Sequence, residues 1–160
     1  MRRAQQRFGP STTQGFTLVE IMIVVVIIGL LAALAIPAFQ RVRQASENSR
    51  IVNDYRIFTQ AFEIYNTQNG GWPNNVGPGI IPPGMAGDFK ADVWRKATAI
   101  GGRWNWDQGL NGITASISIS SFTCTDVQLI AIDAKLDDGD LSTGNFRRTQ
   151  PTRVSLILEE

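Results

Sequence analysis

Residues 15–39, GFTLVEIMIVVVIIGLLAALAIPAF, decide the reading of this chain. From Ile21 to Ile36 there is no ionisable side chain, and Phe16 to Phe39 spans 24 residues. At about 1.5 Å per residue, a helix of that length can cross a hydrocarbon layer of about 30 Å. One acid, Glu20, stands near the start of the run. An ionised carboxylate at membrane depth is unfavourable by about 3 kcal/mol or more, so it needs a partner.

The preceding residues 1–15, MRRAQQRFGPSTTQG, carry Arg2, Arg3 and Arg7 and no acid. The positive-inside tendency holds such an end in the cytoplasm, with the following domain on the far side of the membrane. A secretory signal is cut after its apolar run, behind small residues. Here Ala32 to Ala38 leads directly into a charged helical stretch, which favours a cut before the run.

These residues carry a family resemblance. Gly15, Phe16, Thr17, Leu18 and Glu20, followed by an apolar run to Pro37, resemble the class III signal of type IV pilins and type II secretion pseudopilins. The resemblance implies that a prepilin peptidase removes residues 1–15 by cutting after Gly15 and methylates the new amino terminus at Phe16. It also implies that Glu20 faces the amino terminus of a neighbouring subunit inside a filament, and that Pro37 occupies the family's helix-breaking position. Tyr65, Asn69, Gly70, Trp72 and Pro73 are similar to the turn after the long helix of major pseudopilins, with Trp72 where tyrosine is usual. Beyond residue 68 the resemblance thins. Opposite charges attract far more strongly in low dielectric than in water, so a Phe16 amine paired with Glu20 between staggered subunits would set register. The competing reading is that Glu20 snorkels to the interface from the first helical turn.

Composition narrows the function classes. The chain of 160 residues has net charge +1, but loss of the three leader arginines leaves 12 basic against 14 acidic residues, or −2. No basic stripe marks a nucleic-acid surface. There is no histidine and one cysteine, Cys124, which excludes His-based catalysis, HExxH and Cys-rich zinc sites, and an intramolecular disulfide. Neither a phosphate-binding GxxxxGK[ST] nor a GxGxxG stretch occurs, so the chain reads as a non-enzyme. Cys124 is expected as a buried small apolar residue.

Past Pro37 the pattern becomes amphipathic. Ile51, Tyr55, Phe58, Phe62 and Tyr65 recur at steps of four and three, the core stripe of a helix. Joined to the apolar run they predict a helix of about 50 residues, roughly 80 Å long, if Pro37 only kinks it. Gly29 and Pro37 are where such a helix could bend. The helix stops at Asn69, Gly70 and Gly71, and residues 69–88 hold six glycines and four prolines, a loop.

The predicted class is α+β: a long N-terminal helix, membrane-spanning in its first half and amphipathic in its second, packed on a small antiparallel sheet. The organisation is a leader 1–15, a membrane and filament-core helix 16–39, an amphipathic helix 40–68 and a soluble head 69–160. In the head, 101–107 and 112–118 read as strands joined by a turn over Gln108 to Asn111, with one face of the second strand buried. A single extra helix runs from a cap at Thr125 or Asp126 through Leu136, with Val127, Ile130 and Ala134 on one face. Residues 146–149 and 154–158 form a last hairpin.

Asp133, Asp137, Asp138 and Asp140 are the one group that could hold a metal, and oxygen donors suit Ca²⁺. The family resemblance adds that major pseudopilins carry calcium in a carboxy-terminal loop. The alternative is a helix end closed by Gly139 with solvated acids around it. Trp72, Trp94, Trp104 and Trp106 could stack on sugars, or fill a core.

The expected function is a structural subunit of a type II secretion pseudopilus, a homo-oligomeric filament anchored in the inner membrane with periplasmic heads. From the resemblance, its partners are prepilin peptidase, minor pseudopilins, an inner-membrane platform protein and an assembly ATPase. The alternatives are a type IV pilus pilin for adhesion, motility or DNA uptake, and a membrane-anchored polymer-binding module.

Overall fold

A computed structural model describes residues 15–110 and 112–160. The leader expected over 1–15 therefore lies, apart from Gly15, outside the described residues, as does Asn111. The order of elements is α1 (Leu18–Asn69), α2 (Ala91–Arg95), β1 (Arg103–Leu110), β2 (Ile113–Ser120), α3 (Asp126–Leu136), β3 (Phe146–Gln150) and β4 (Arg153–Glu159). The fold is α+β and pilin-like, a long helix packed against a four-stranded antiparallel sheet of order β1-β2-β4-β3. By compactness the chain divides into a unit ending at Gln40 and a unit Arg41–Glu160.

Helix α1 is 52 residues long, and its assignment runs unbroken through Pro37. It stops where Asn69 meets Gly70, whose φ of +70° is the left-handed conformation that closes helices and that a side chain resists. The Gly70 N–H returns to the Asn66 carbonyl at 2.9 Å.

In the unit Arg41–Glu160 the stripe of α1 meets the sheet. Ile51, Tyr55, Phe58 and Phe62 are buried, with Tyr65 at the margin. Tyr55 lies edge-on to Trp104 and Phe146 with ring centroids 4.7 and 5.5 Å apart, and Phe62 stacks on Trp106 at 4.0 Å. Phe58 abuts Trp94 and Trp104. Trp94, Trp104 and Trp106 are therefore core residues and not a sugar platform. Trp106 donates to the Pro73 carbonyl and Trp94 to the Ile80 carbonyl, which ties the Gly/Pro-rich loop to the same core. That loop also buries Met85.

Several details correct the sequence reading. The β1–β2 turn is not Gln108 to Asn111, because pairing continues to Leu110↔Ile113 and leaves only Asn111 and Gly112 between the strands. Asn-Gly is the preferred two-residue hairpin pair, and Gly112 has the positive φ that such turns demand. Strand β2 is buried on both faces, not one: Ser116 and Ser118 are as enclosed as Ile117 and Ile119. Their polar face is satisfied by a small network. Ser118 donates to Asp107, Asn105 donates to Asp107 at 2.6 Å, and Arg153 pairs with Asp107 at 2.8 Å.

Helix α3 is capped by Thr125, whose hydroxyl accepts from the Gln128 N–H, but it turns the opposite face inward from the one expected. Leu129 and Ile132 are buried, while Val127 is 74% and Ile130 44% exposed, and Ala134 is exposed too. Burial of Leu129 and Ile132 outweighs that of Val127 and Ile130, and Gln128 on the same inward face donates to the buried Asn48 of α1 at 2.9 Å. Among the described residues the head holds two short helices, not one, because α2 carries Trp94 into the core. Cys124 is half-buried beside the core, and this burial pushes its thiol up.

Candidate assembly site

The start of α1 is organised by two side chains. Thr17 is the residue before the first helical position and Glu20 lies three further on. The Glu20 carboxylate accepts from the Thr17 N–H at 2.8 Å and from the Thr17 hydroxyl at 2.7 Å. In return the Glu20 N–H reaches the Thr17 hydroxyl oxygen at 3.3 Å. This is a reciprocal capping box, which satisfies donors that a helix start leaves free. Glu20 thus has a partner within its own helix start, nearer than the amine of a second molecule that the family resemblance implies. The signal was present, since Thr17-Leu18-Val19-Glu20 has the T-x-x-E spacing of such a box.

Behind this box the apolar run presents its side chains outward. Phe16 is 85% exposed, and every large side chain from Leu18 to Ile36 is exposed with it. The most apolar window of α1 has a mean hydropathy of 3.0 and no residue buried. An all-round apolar, uncovered helix segment of this length is stable only in lipid or against other such segments. Pro37 follows it within α1.

This segment is matched by the family model for the prokaryotic N-terminal methylation motif, over residues 11–36. Over 131 residues, covering 81% of this chain and 79% of the other, the sequence is 30% identical to fimbrial protein EcpC of Eikenella corrodens. The chain belongs to the type IV pilin and pseudopilin family. Its relatives include type IV major pilin protein PilE1 of Neisseria gonorrhoeae, 35% identical over 56% of this chain and 41% of the pilin. They also include type II secretion system core protein G of Klebsiella michiganensis, 36% identical over 46% of each chain. The chain thus spans less than half the length of these two relatives. No solved structure matches it. The family is structural, not enzymatic.

The four aspartates of the head do not all converge. Asp133, Asp137 and Asp138 each offer an oxygen within 4.8 Å of the others. Asp140 is not one of this group; one of its carboxylate oxygens accepts from the Ser142 N–H and hydroxyl, and those hydrogen bonds hold it below the usual carboxylate range. Asp133 is fully buried, and neither of its oxygens has a partner of hydrogen-bonding geometry among the described residues. Burial raises its carboxyl from 3.8 to about 6; the Gly139 N–H opposes the rise, and the Asp138, Asp137 and Asp140 charges add to it. A buried acid with two orphaned oxygens beside two further carboxylates fits a hard divalent cation such as Ca²⁺, which takes six to eight oxygen ligands.

Proposed function

We propose that this chain is a pseudopilus subunit of a type II secretion system, processed after Gly15 and assembled through its apolar segment into a helical filament. The observation that carries this reading is the uncovered apolar segment that follows Gly15 and Phe16 and carries its one acid, Glu20, in the first helical turn. In the membrane the capping box of Thr17 shields Glu20. In the filament, removal of the leader by prepilin peptidase exposes an amine at Phe16, which neutralises the Glu20 of a neighbouring copy. Head-to-tail contacts whose rotation does not close generate such a filament. The leader arginines hold the first residues on the cytoplasmic side of the inner membrane, and the head is periplasmic. Force for extraction comes from an assembly ATPase acting through an inner-membrane platform protein, and minor pseudopilins join the same filament.

The similarity to core protein G and the lone Cys124, which leaves the head without a disulfide, favour secretion over a surface fibre. The longer match to a fimbrial protein favours the second reading, a pilus pilin. Deleting the gene distinguishes them. Loss of exported enzymes from the medium with surface fibres intact supports the pseudopilus, whereas loss of fibres with normal export assigns the chain to a pilus. We further propose that Asp133, Asp137 and Asp138 seat Ca²⁺ in the head. Calorimetric titration tests this, with heat of binding expected for the unaltered chain and none for Asp133→Asn.

A further inference from the structure

A four-stranded sheet has two free edges, and an uncovered edge strand is a template for pairing with another chain. At one edge, β1 is covered: the Gly79 N–H donates to the Trp104 carbonyl at 2.7 Å, and Ala97 bridges to Arg103. At the other, β3 pairs with β4 on one side only. Its outward N–H groups are met by the loop 137–145. The Phe146 N–H donates to the Asp137 carboxylate at 3.3 Å, the adjoining Asn145 N–H donates to the same oxygen, and the Arg148 N–H donates to the Leu141 carbonyl at 2.9 Å. Gly144 lies flat against the Asp137 carboxylate, where a Cβ would overlap it.

Electrostatics alone disfavour Asp137 in this place. It caps the C-terminal end of α3, where the helix dipole is negative, and it is clustered with Asp133 and Asp138. The two backbone donors at the start of β3 offset that repulsion. We propose that Asp137 is a clasp, a positioning residue that holds the loop 137–145 over the free edge of β3. Copies crowded at high local concentration in a membrane or filament then associate through their helices and not by adding strand to strand. The crowding rests on the filament reading; the clasp itself is a property of the single chain.

The test uses the full chain in detergent micelles with chelator present, so that neither filament assembly nor a bound cation contributes. Asp137→Ala removes the acceptor, and Asp137→Asn restores an acceptor oxygen without the charge a cation seat needs. Amide exchange at Phe146 and Arg148 is expected to quicken about tenfold or more in Asp137→Ala, with Ile117 and Ile119 of β2 unchanged, and to recover in Asp137→Asn. Sedimentation should show concentration-dependent dimers of Asp137→Ala alone. Unchanged exchange at Phe146 and Arg148, equal quickening across β2, no recovery in Asp137→Asn, or an Asp137→Ala variant that stays monomeric would each overturn the proposal. Absence of a methylated Phe16 in cells would sink the filament reading and leave these measurements untouched.

Discussion

Thr17 and Glu20 satisfy one another across the first turn of α1, through the hydroxyl of one and the carboxylate of the other. Glu20 therefore has two partners available at different stages: its own helix start in the single chain and, under the proposed function, a foreign amine in the filament. The two roles separate chemically, because capping needs only an acceptor and neutralisation needs the charge.

Glu20→Gln keeps the acceptor at the third helical position and removes the charge. The helix should be as stable as in the unaltered chain by circular dichroism in detergent, while filament assembly fails. Thr17→Val is the converse, with a capping loss of about 1 kcal/mol and assembly retained. Normal filaments from Glu20→Gln would show that the acid acts only as a cap.

The Phe62–Trp106 stack is the most closely stacked aromatic contact between α1 and the sheet. Trp106→Ala removes that stack, a contact with Trp72 and the hydrogen bond to Pro73. A loss of about 3–5 kcal/mol is expected, a large fraction of the stability of about 5–15 kcal/mol that holds a domain folded. Denaturant unfolding followed by near-ultraviolet circular dichroism measures it.

Asp107 gathers Ser118, Asn105 and Arg153 on the outer face of the sheet with little water access. Asp107→Ala strands a largely buried guanidinium, for an expected loss of about 3 kcal/mol or more. The double variant Asp107→Leu with Arg153→Leu should regain much of that loss, which thermal denaturation can read.

Asp133 gives a pH dependence of defined sign. Its carboxyl rises from 3.8 in the unfolded chain to about 6 in the fold. The folded state therefore binds more protons at this group in that interval, and the contribution of Asp133 to stability without metal is fully present below about pH 4 and is lost as pH climbs from about 4 to 6. Thermal melts in chelator should show this decline, and Asp133→Asn should abolish it. Added Ca²⁺ should restore the lost stability, most strongly above pH 6.

Much of this was legible before any coordinates. The span and the stripe Ile51-Tyr55-Phe58-Phe62 follow from periodicity over many turns, where the signal accumulates. The last hairpin was placed within a residue or two. What escaped depended on tertiary context. The inward face of α3 is set by where Leu129 and Ile132 find the core and Gln128 meets Asn48, positions 80 apart in sequence. The serines of β2 look solvent-facing until the side chains of Asp107 and Arg153, from the flanking strands, are gathered on the same face. Helix α2 is too short for periodicity to reveal, and it exists because Trp94 finds a cavity among Phe58, Phe62 and Phe89. The Thr17–Glu20 box is legible in its T-x-x-E spacing, although an acid at the head of an apolar run also fits a partner in a second molecule.

The central claim is that the apolar segment begins a processed, assembling subunit. Mass spectrometry of the amino-terminal peptide of protein purified from assembled filaments tests it most directly. The account predicts a chain that begins with N-methylated Phe16. Filaments built from chains that still carry Arg2, Arg3 and Arg7 would contradict it.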